Sequence, residues 1–83
     1  MKLTGNNLEV RAVSIKTSKT TGNPYIALRL EDEAGSWLNA IDRNMENKEF
    51  YAKGVIADFE LNVVLAKGYA SASVVSIKLK NEH

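Results

Sequence analysis

Apolar and polar positions alternate with a period of two along most of this chain. In "LEVRAVSIK" (8–16) Leu8 and Val10 share one face, and Val13 and Ile15 then fall on the opposite phase. A β-bulge near Ala12 would repair the register and coil the strand. "YIALRLE" (25–31) puts Ile26, Leu28 and Leu30 on one face and Tyr25, Ala27 and Arg29 on the other. "SWLNAID" (36–42) reads as a third strand of ambiguous phase, with Trp37, Asn39 and Ile41 opposing Leu38, Ala40 and Asp42. "VIADFELNVVL" (55–65) is the clearest strand: Val55, Ala57, Phe59, Leu61, Val63 and Leu65 line one face, which makes Phe59 a core residue. In "ASASVVSIKLK" (70–80) Val75, Ile77 and Leu79 point one way, and Val74, Ser76 and Lys78 the other.

The punctuation between these runs fits strands. "TSKTTGNP" (17–24) is a turn, and Pro24 is tolerated only where a strand begins or at a sheet edge. "EDEAGS" (31–36) is a second turn, with Gly35 at the position that needs a positive φ. "RNMENKEFYAKG" (43–54) loses the period of two and suits one or two helical turns capped by Asn44, with Phe50 and Tyr51 closing the bottom of the fold. The last two strands meet at a turn around Gly68, and at about 3.3 Å per residue they reach about 30 Å or more, so their hairpin protrudes. Five strands with a short helical or irregular segment between the third and fourth predict an all-β fold, a small five-stranded OB-type barrel spanning residues 1–83 as one domain. An SH3-like barrel is the nearest alternative.

Composition narrows the chemistry. With 83 residues the chain builds one small core, which a dimer would reinforce. It has no cysteine, so disulfides, thiolate metal sites and thiol catalysis are excluded. The one histidine is the last residue, His83, and the carboxylates gather in turns or on a polar strand face, so an enzyme, a metal site or a cofactor is not expected. Asp58 and Glu60 read as a solvated outer face rather than an acid–base pair, and "EDE" (31–33) as a plain turn. "MKLTGNNLEV" has no apolar run of signal length and no stretch could span a bilayer, so the cytoplasm is the expected compartment.

The net charge of +1 conceals an asymmetry. Residues 1–30 carry five cations (Lys2, Arg11, Lys16, Lys19, Arg29) against Glu9, a net of +4. Residues 31–60 carry a net of −5, and residues 61–83 a net of +2. A fold that brings the two ends of the chain to one side has a basic face able to hold a polyanion. Single-stranded nucleic acid is held by such a face together with aromatic rings on which bases stack. Tyr25 is the leading ring, because it lies opposite the apolar face and beside the basic turn. Lys16, Lys19 and Arg29 surround that turn, and Lys67 and Lys78 belong to the last hairpin. Tyr69, at the hairpin tip, reads equally as a stacking finger or a dimer contact. Trp37 could stack, although a lone tryptophan in a small barrel more often belongs to the core.

These residues resemble the single-stranded DNA-binding proteins of filamentous phages, the gene V type. The matching pieces are "SKTTGNPY" (18–25), similar to that family's basic wing ending in Gly-x-Pro-Tyr, and "YAKGVIADFELNVVLAKGYASASVVSIKLK" (51–80), similar to its long strand, aromatic-tipped hairpin and final strand. The resemblance implies an OB-type barrel that dimerises through the last hairpin (Val63, Leu65, Tyr69, Val74) and coats single-stranded DNA cooperatively, largely without sequence preference, in phage or plasmid replication. It implies that Tyr25 is the stacking tyrosine, that Lys16 and Lys19 contact phosphates, and that Tyr69 meets DNA held by a neighbouring subunit; Lys78 falls near a basic position of the last strand. The segment between Leu30 and Trp37 is shorter than in that family, the wing has fewer arginines, and "LKNEH" is not an acidic tail. Stacking does not discriminate between sugars, so RNA stands beside DNA as a ligand. The other reading is a small-barrel protein-interaction module that docks through the last hairpin.

Overall fold

One long strand organises the fold, because its two halves pair with different partners. β1 (Lys2–Thr17) runs antiparallel to β4 (Ile56–Ala66) through Lys2–Glu9 and antiparallel to β2 (Pro24–Glu31) through Glu9–Thr17. The register shifts between Val10 and Ala12, where the phase break in the sequence calls for a bulge, and again between Gly5 and Leu8. At the second shift Asn7 adopts a φ of 57° and its N–H donates to Asp58 Oδ1 at 2.9 Å. Extra residues on one side of a ladder bend the strand and raise its twist, so β1 can serve both flanks of a barrel. β3 (Trp37–Asp42) pairs antiparallel with β2, and β5 (Tyr69–Leu79) with β4. A parallel bridge between Ile41 and Ser73 completes the closed order β1-β2-β3-β5-β4. The computed structural model describes residues 1–66 and 68–79, with the side chains of Ala66 and Tyr69 outside that description.

The interior is filled by the inward phases of these strands. Val10, Ile26, Leu28, Leu30, Ala57, Phe59 and Leu61 are buried, and the Phe59 ring lies parallel to Tyr51 with centroids 6.4 Å apart. β3 settles its ambiguous phase with Leu38, Ala40 and Asp42 inward. That corrects the expectation for Trp37, which opens β3 on the outer face and is 56% exposed.

Between β3 and β4 a 3-10 helix (Met45–Phe50) begins at Asn44, whose side chain accepts from the Glu46 N–H at 3.0 Å. Tyr51 follows it into the core and closes the barrel bottom. Phe50 does not join it: an adjacent residue leaving the same short helix faces the other way, and Phe50 is 38% exposed. The Tyr51 hydroxyl donates to Asp42 Oδ2 at 2.6 Å, and burial together with that carboxylate raises its pKa well above the ordinary tyrosine value.

The last hairpin differs from its sequence pattern at one place. A register shift beside Leu61 pairs Leu61 with Val74 and Glu60 with Ser76, leaving Val75 as the extra residue. Val74 and Ile77 therefore turn inward, and Val75 stands exposed. Met1 holds β4 as far as Val63, donating its amine to the Val63 carbonyl at 3.0 Å and accepting from the Val63 N–H. Beyond that point Val64, Leu65 and Ala66 pair with Ser71, Ala70 and Tyr69, and this ribbon leaves the barrel.

Candidate nucleic-acid interface

Cross-strand partners share a face, so the register maps the outer surface of β1, β2 and β3 as rows. Lys16 lies beside Tyr25; Ser14, Ala27 and Ile41 form the next row; Ala12, Arg29 and Asn39 the one after; and Glu31 and Trp37 end the sheet. The middle rows carry Ala12, Ser14 and Ala27 beside Ile41 and Asn39, with Arg29 at the centre of its row. Ala70, Ser71 and Ala72 of β5 wall one side, so the surface becomes an open groove of about 470 Å³ lined by Lys16, Tyr25 and Arg29 among others. A floor of small side chains lets a flat group approach the sheet, while rings and cations supply the contacts a nucleotide chain needs.

Tyr25 stands half-buried where this groove meets the β1–β2 turn. That turn is held by its own bonds. The Ser18 N–H donates to the Asn23 carbonyl and the Gly22 N–H to the Ser18 carbonyl, both at 2.9 Å, with Gly22 at a φ of 77°. The N–H groups of Thr20 and Thr21 donate to the Ser18 hydroxyl, and that of Asn23 to the Thr21 hydroxyl. The "TSKTTGNP" segment is thus a shaped wing. Two smaller concavities, about 170 and 240 Å³, flank Tyr25 on this side. Both include Ser18 and Arg43, and the second includes Lys19.

Among the described residues Lys2 and Arg11 are the cations held in ion pairs, and Lys48, Lys53 and Lys78, outside the groove lining, have none. Lys2 is 3.7 Å from Glu60, and Arg11 bridges Glu9 at 3.3 Å and Glu31 at 3.1 Å. Around the groove and wing, Lys16, Lys19 and Arg43 have no ion pair among the described residues. Arg29 places its guanidinium 4.3 Å from the centre of the Trp37 ring, a cation–π contact that leaves its charge uncompensated. Asp58 and Glu60 sit on the outer face of β4, engaged with the Asn7 N–H, with Lys2 and with the Ser76 hydroxyl.

Of the residues the sequence singles out, the fold brings Lys16, Tyr25 and Arg29 into one groove, with Lys19 beside Tyr25 at the wing and Trp37 at the far end under Arg29. Lys78 lies opposite Asp58, seven residues along β5 from Ser71 and outside the groove lining. Lys67 and the Tyr69 side chain lie outside the described residues. In the last hairpin Val74 packs against the core, Val63 is half-buried, and Leu65 is 67% exposed. Arg43 was missed. It comes beside Tyr25 only through the register that pairs Ile26 with Asp42, which the ambiguous phase of β3 hides in the sequence.

Five strands closed in the order β1-β2-β3-β5-β4, with the short helix between β3 and β4, define the OB fold. Two solved structures that share it are crystal forms of the mitochondrial single-stranded DNA-binding protein Rim1 from S. cerevisiae. The first superposes with a TM-score of 0.71 at 17% identity, covering 95% of this chain and 94% of that one. The second, labelled with selenomethionine, gives 0.78 at 18%, covering 99% and 96%. No protein-family model and no curated protein matches the sequence.

Proposed function

We propose that this protein binds single-stranded DNA along the outer face of β1–β3, largely without sequence preference. The observation that carries the reading is the convergence of four cations: Lys16, Lys19, Arg29 and Arg43, none with an ion pair among the described residues, gather around a groove lined by small residues and Tyr25, with Trp37 beyond it under Arg29. Phosphates release counterions when they meet such cations, and bases stack on such rings. The two OB-fold structures described above, both of a single-stranded DNA-binding protein, support the same reading. The protein acts as a homodimer joined through the exposed end of its last hairpin and coats a strand cooperatively. The phage or plasmid replication setting rests on the wing and hairpin motifs.

Anisotropy of a labelled, unstructured thymidine oligonucleotide tests this. The wild type binds at low salt, and Tyr25→Ala binds about ten- to a hundredfold more weakly with its fold intact. Equal binding by both proteins overturns the assignment of the strand to the Tyr25 face, and no binding by the wild type overturns the reading and turns attention to a protein partner of the last hairpin. A uridine oligonucleotide run alongside reads the sugar preference.

A further inference from the structure

Asp42 is 2% exposed and is the buried charged residue of the described core. Its carboxylate accepts three hydrogen bonds: from the Asn44 N–H at 2.9 Å, the Asn47 amide at 2.8 Å and the Tyr51 hydroxyl at 2.6 Å. A buried carboxylate is tolerated only when satisfied in this way. All three donors come from the chain just beyond β3, so the cluster ties that segment to the barrel and fixes where the backbone leaves the sheet. The next residue, Arg43, is the first beyond β3 and stands exposed. The β2–β3 register ends at Ile26 and Asp42, so Arg43 leaves the sheet beside Tyr25, and Lys16 is the partner of Tyr25 on its other side. Tyr25 is thereby flanked by Lys16 on β1 and by Arg43 just past the end of β3. Arg43 is exposed, has no acidic partner among the described residues, and borders both concavities at the Tyr25 ring.

We propose that Tyr25, Arg43 and Lys19 form one nucleotide-sized site at the wing end of the groove. A base stacks on Tyr25, its phosphate is gripped by the Arg43 guanidinium with Lys19 beside it, and the Asp42 cluster positions Arg43 for that grip. The site rests on the single-strand reading above and adds to it a phosphate ligand and its positioning device. An arginine suits the task because its planar fork takes two oxygens of a phosphate, which a lysine cannot do.

The test uses the full chain and the thymidine oligonucleotide. Arg43→Ala lowers affinity about tenfold at low salt and makes the slope of log affinity against log salt shallower by about 0.7, the share of one phosphate contact on a single strand. Arg43→Lys keeps the slope and loses part of the affinity, since charge remains and the fork does not. Tyr51→Phe, which removes one donor to Asp42, weakens binding about two- to tenfold when Arg43 is present and has no effect in the Arg43→Ala background. Asn47→Ala serves the same purpose if Tyr51→Phe does not fold. Arg43→Ala matching the wild type in both affinity and slope, while Tyr25→Ala weakens binding, overturns the site and leaves the single-strand reading standing. Equal weakening by Tyr51→Phe in both backgrounds overturns the positioning role. A wild type that binds no oligonucleotide overturns the parent reading instead.

Discussion

Trp37 opens β3 with its indole out in solvent and the Arg29 guanidinium over its ring. Its removal should therefore cost little stability. Trp37→Ala is expected to lower the unfolding free energy by under about 1 kcal/mol, the scale of an exposed cation–π contact; a core tryptophan would cost about 3–5 kcal/mol. Urea denaturation distinguishes the two. Tyr51 is the opposite case. Tyr51→Phe leaves the buried Asp42 carboxylate one donor short and should cost about 1–3 kcal/mol. Burial and Asp42 raise the Tyr51 pKa, so the folded protein holds its phenolic proton where the unfolded chain has lost it. Its contribution is complete below about pH 10, the unfolded value, and falls as pH climbs beyond it, because there the unfolded state binds fewer protons than the folded one. The wild type should lose stability on that alkaline limb more steeply than Tyr51→Phe, as thermal melts across the range would show. Neither role is legible from sequence. Trp37 and Ile41 outweigh Ala40 and Asp42 in hydrophobicity, so β3 invites the wrong face inward, and only the three donors at Asn44, Asn47 and Tyr51 make burial of Asp42 affordable.

At the scale of elements the chain was more readable. The phase break at Ala12, Pro24 at the start of β2, Asn44 as the helix cap and Gly35 at a φ of 90° each carry a local physical requirement, and each stands where that requirement puts it. The bulge at Val75 was not readable, because Val74 and Val75 are equally apolar and only the pairing of Leu61 with Val74 selects between them. The hairpin they belong to ends with Leu65 exposed on the inward-phase side of the ribbon, opposite Ala70. An exposed apolar side chain on a ribbon with no barrel behind it is the contact a second subunit would cover. If the proposed dimer forms through this ribbon, the wild type sediments as a dimer and Leu65→Lys as a monomer, with the melting temperature of the isolated barrel almost unchanged. An unaltered dimer would place the subunit contact elsewhere.

For the whole molecule, a net charge of +1 says little, whereas its distribution over the fold says more. Arg11 is consumed by Glu9 and Glu31 at the Trp37 end of the sheet, and four cations without an ion pair, Lys16, Lys19, Arg29 and Arg43, gather around the groove and the wing. Which cations would be paired was beyond sequence reading, since Lys2 meets Glu60 and Arg11 meets Glu31 only through β1's double pairing. On the proposed function, Lys16, Lys19, Arg29 and Arg43 act together on a phosphate chain. Its most direct test is the affinity of the wild type for the thymidine oligonucleotide over a range of salt concentrations. Four phosphate contacts on a single strand predict a log–log slope of about −3. A slope near zero, or no binding at the lowest salt, would contradict it.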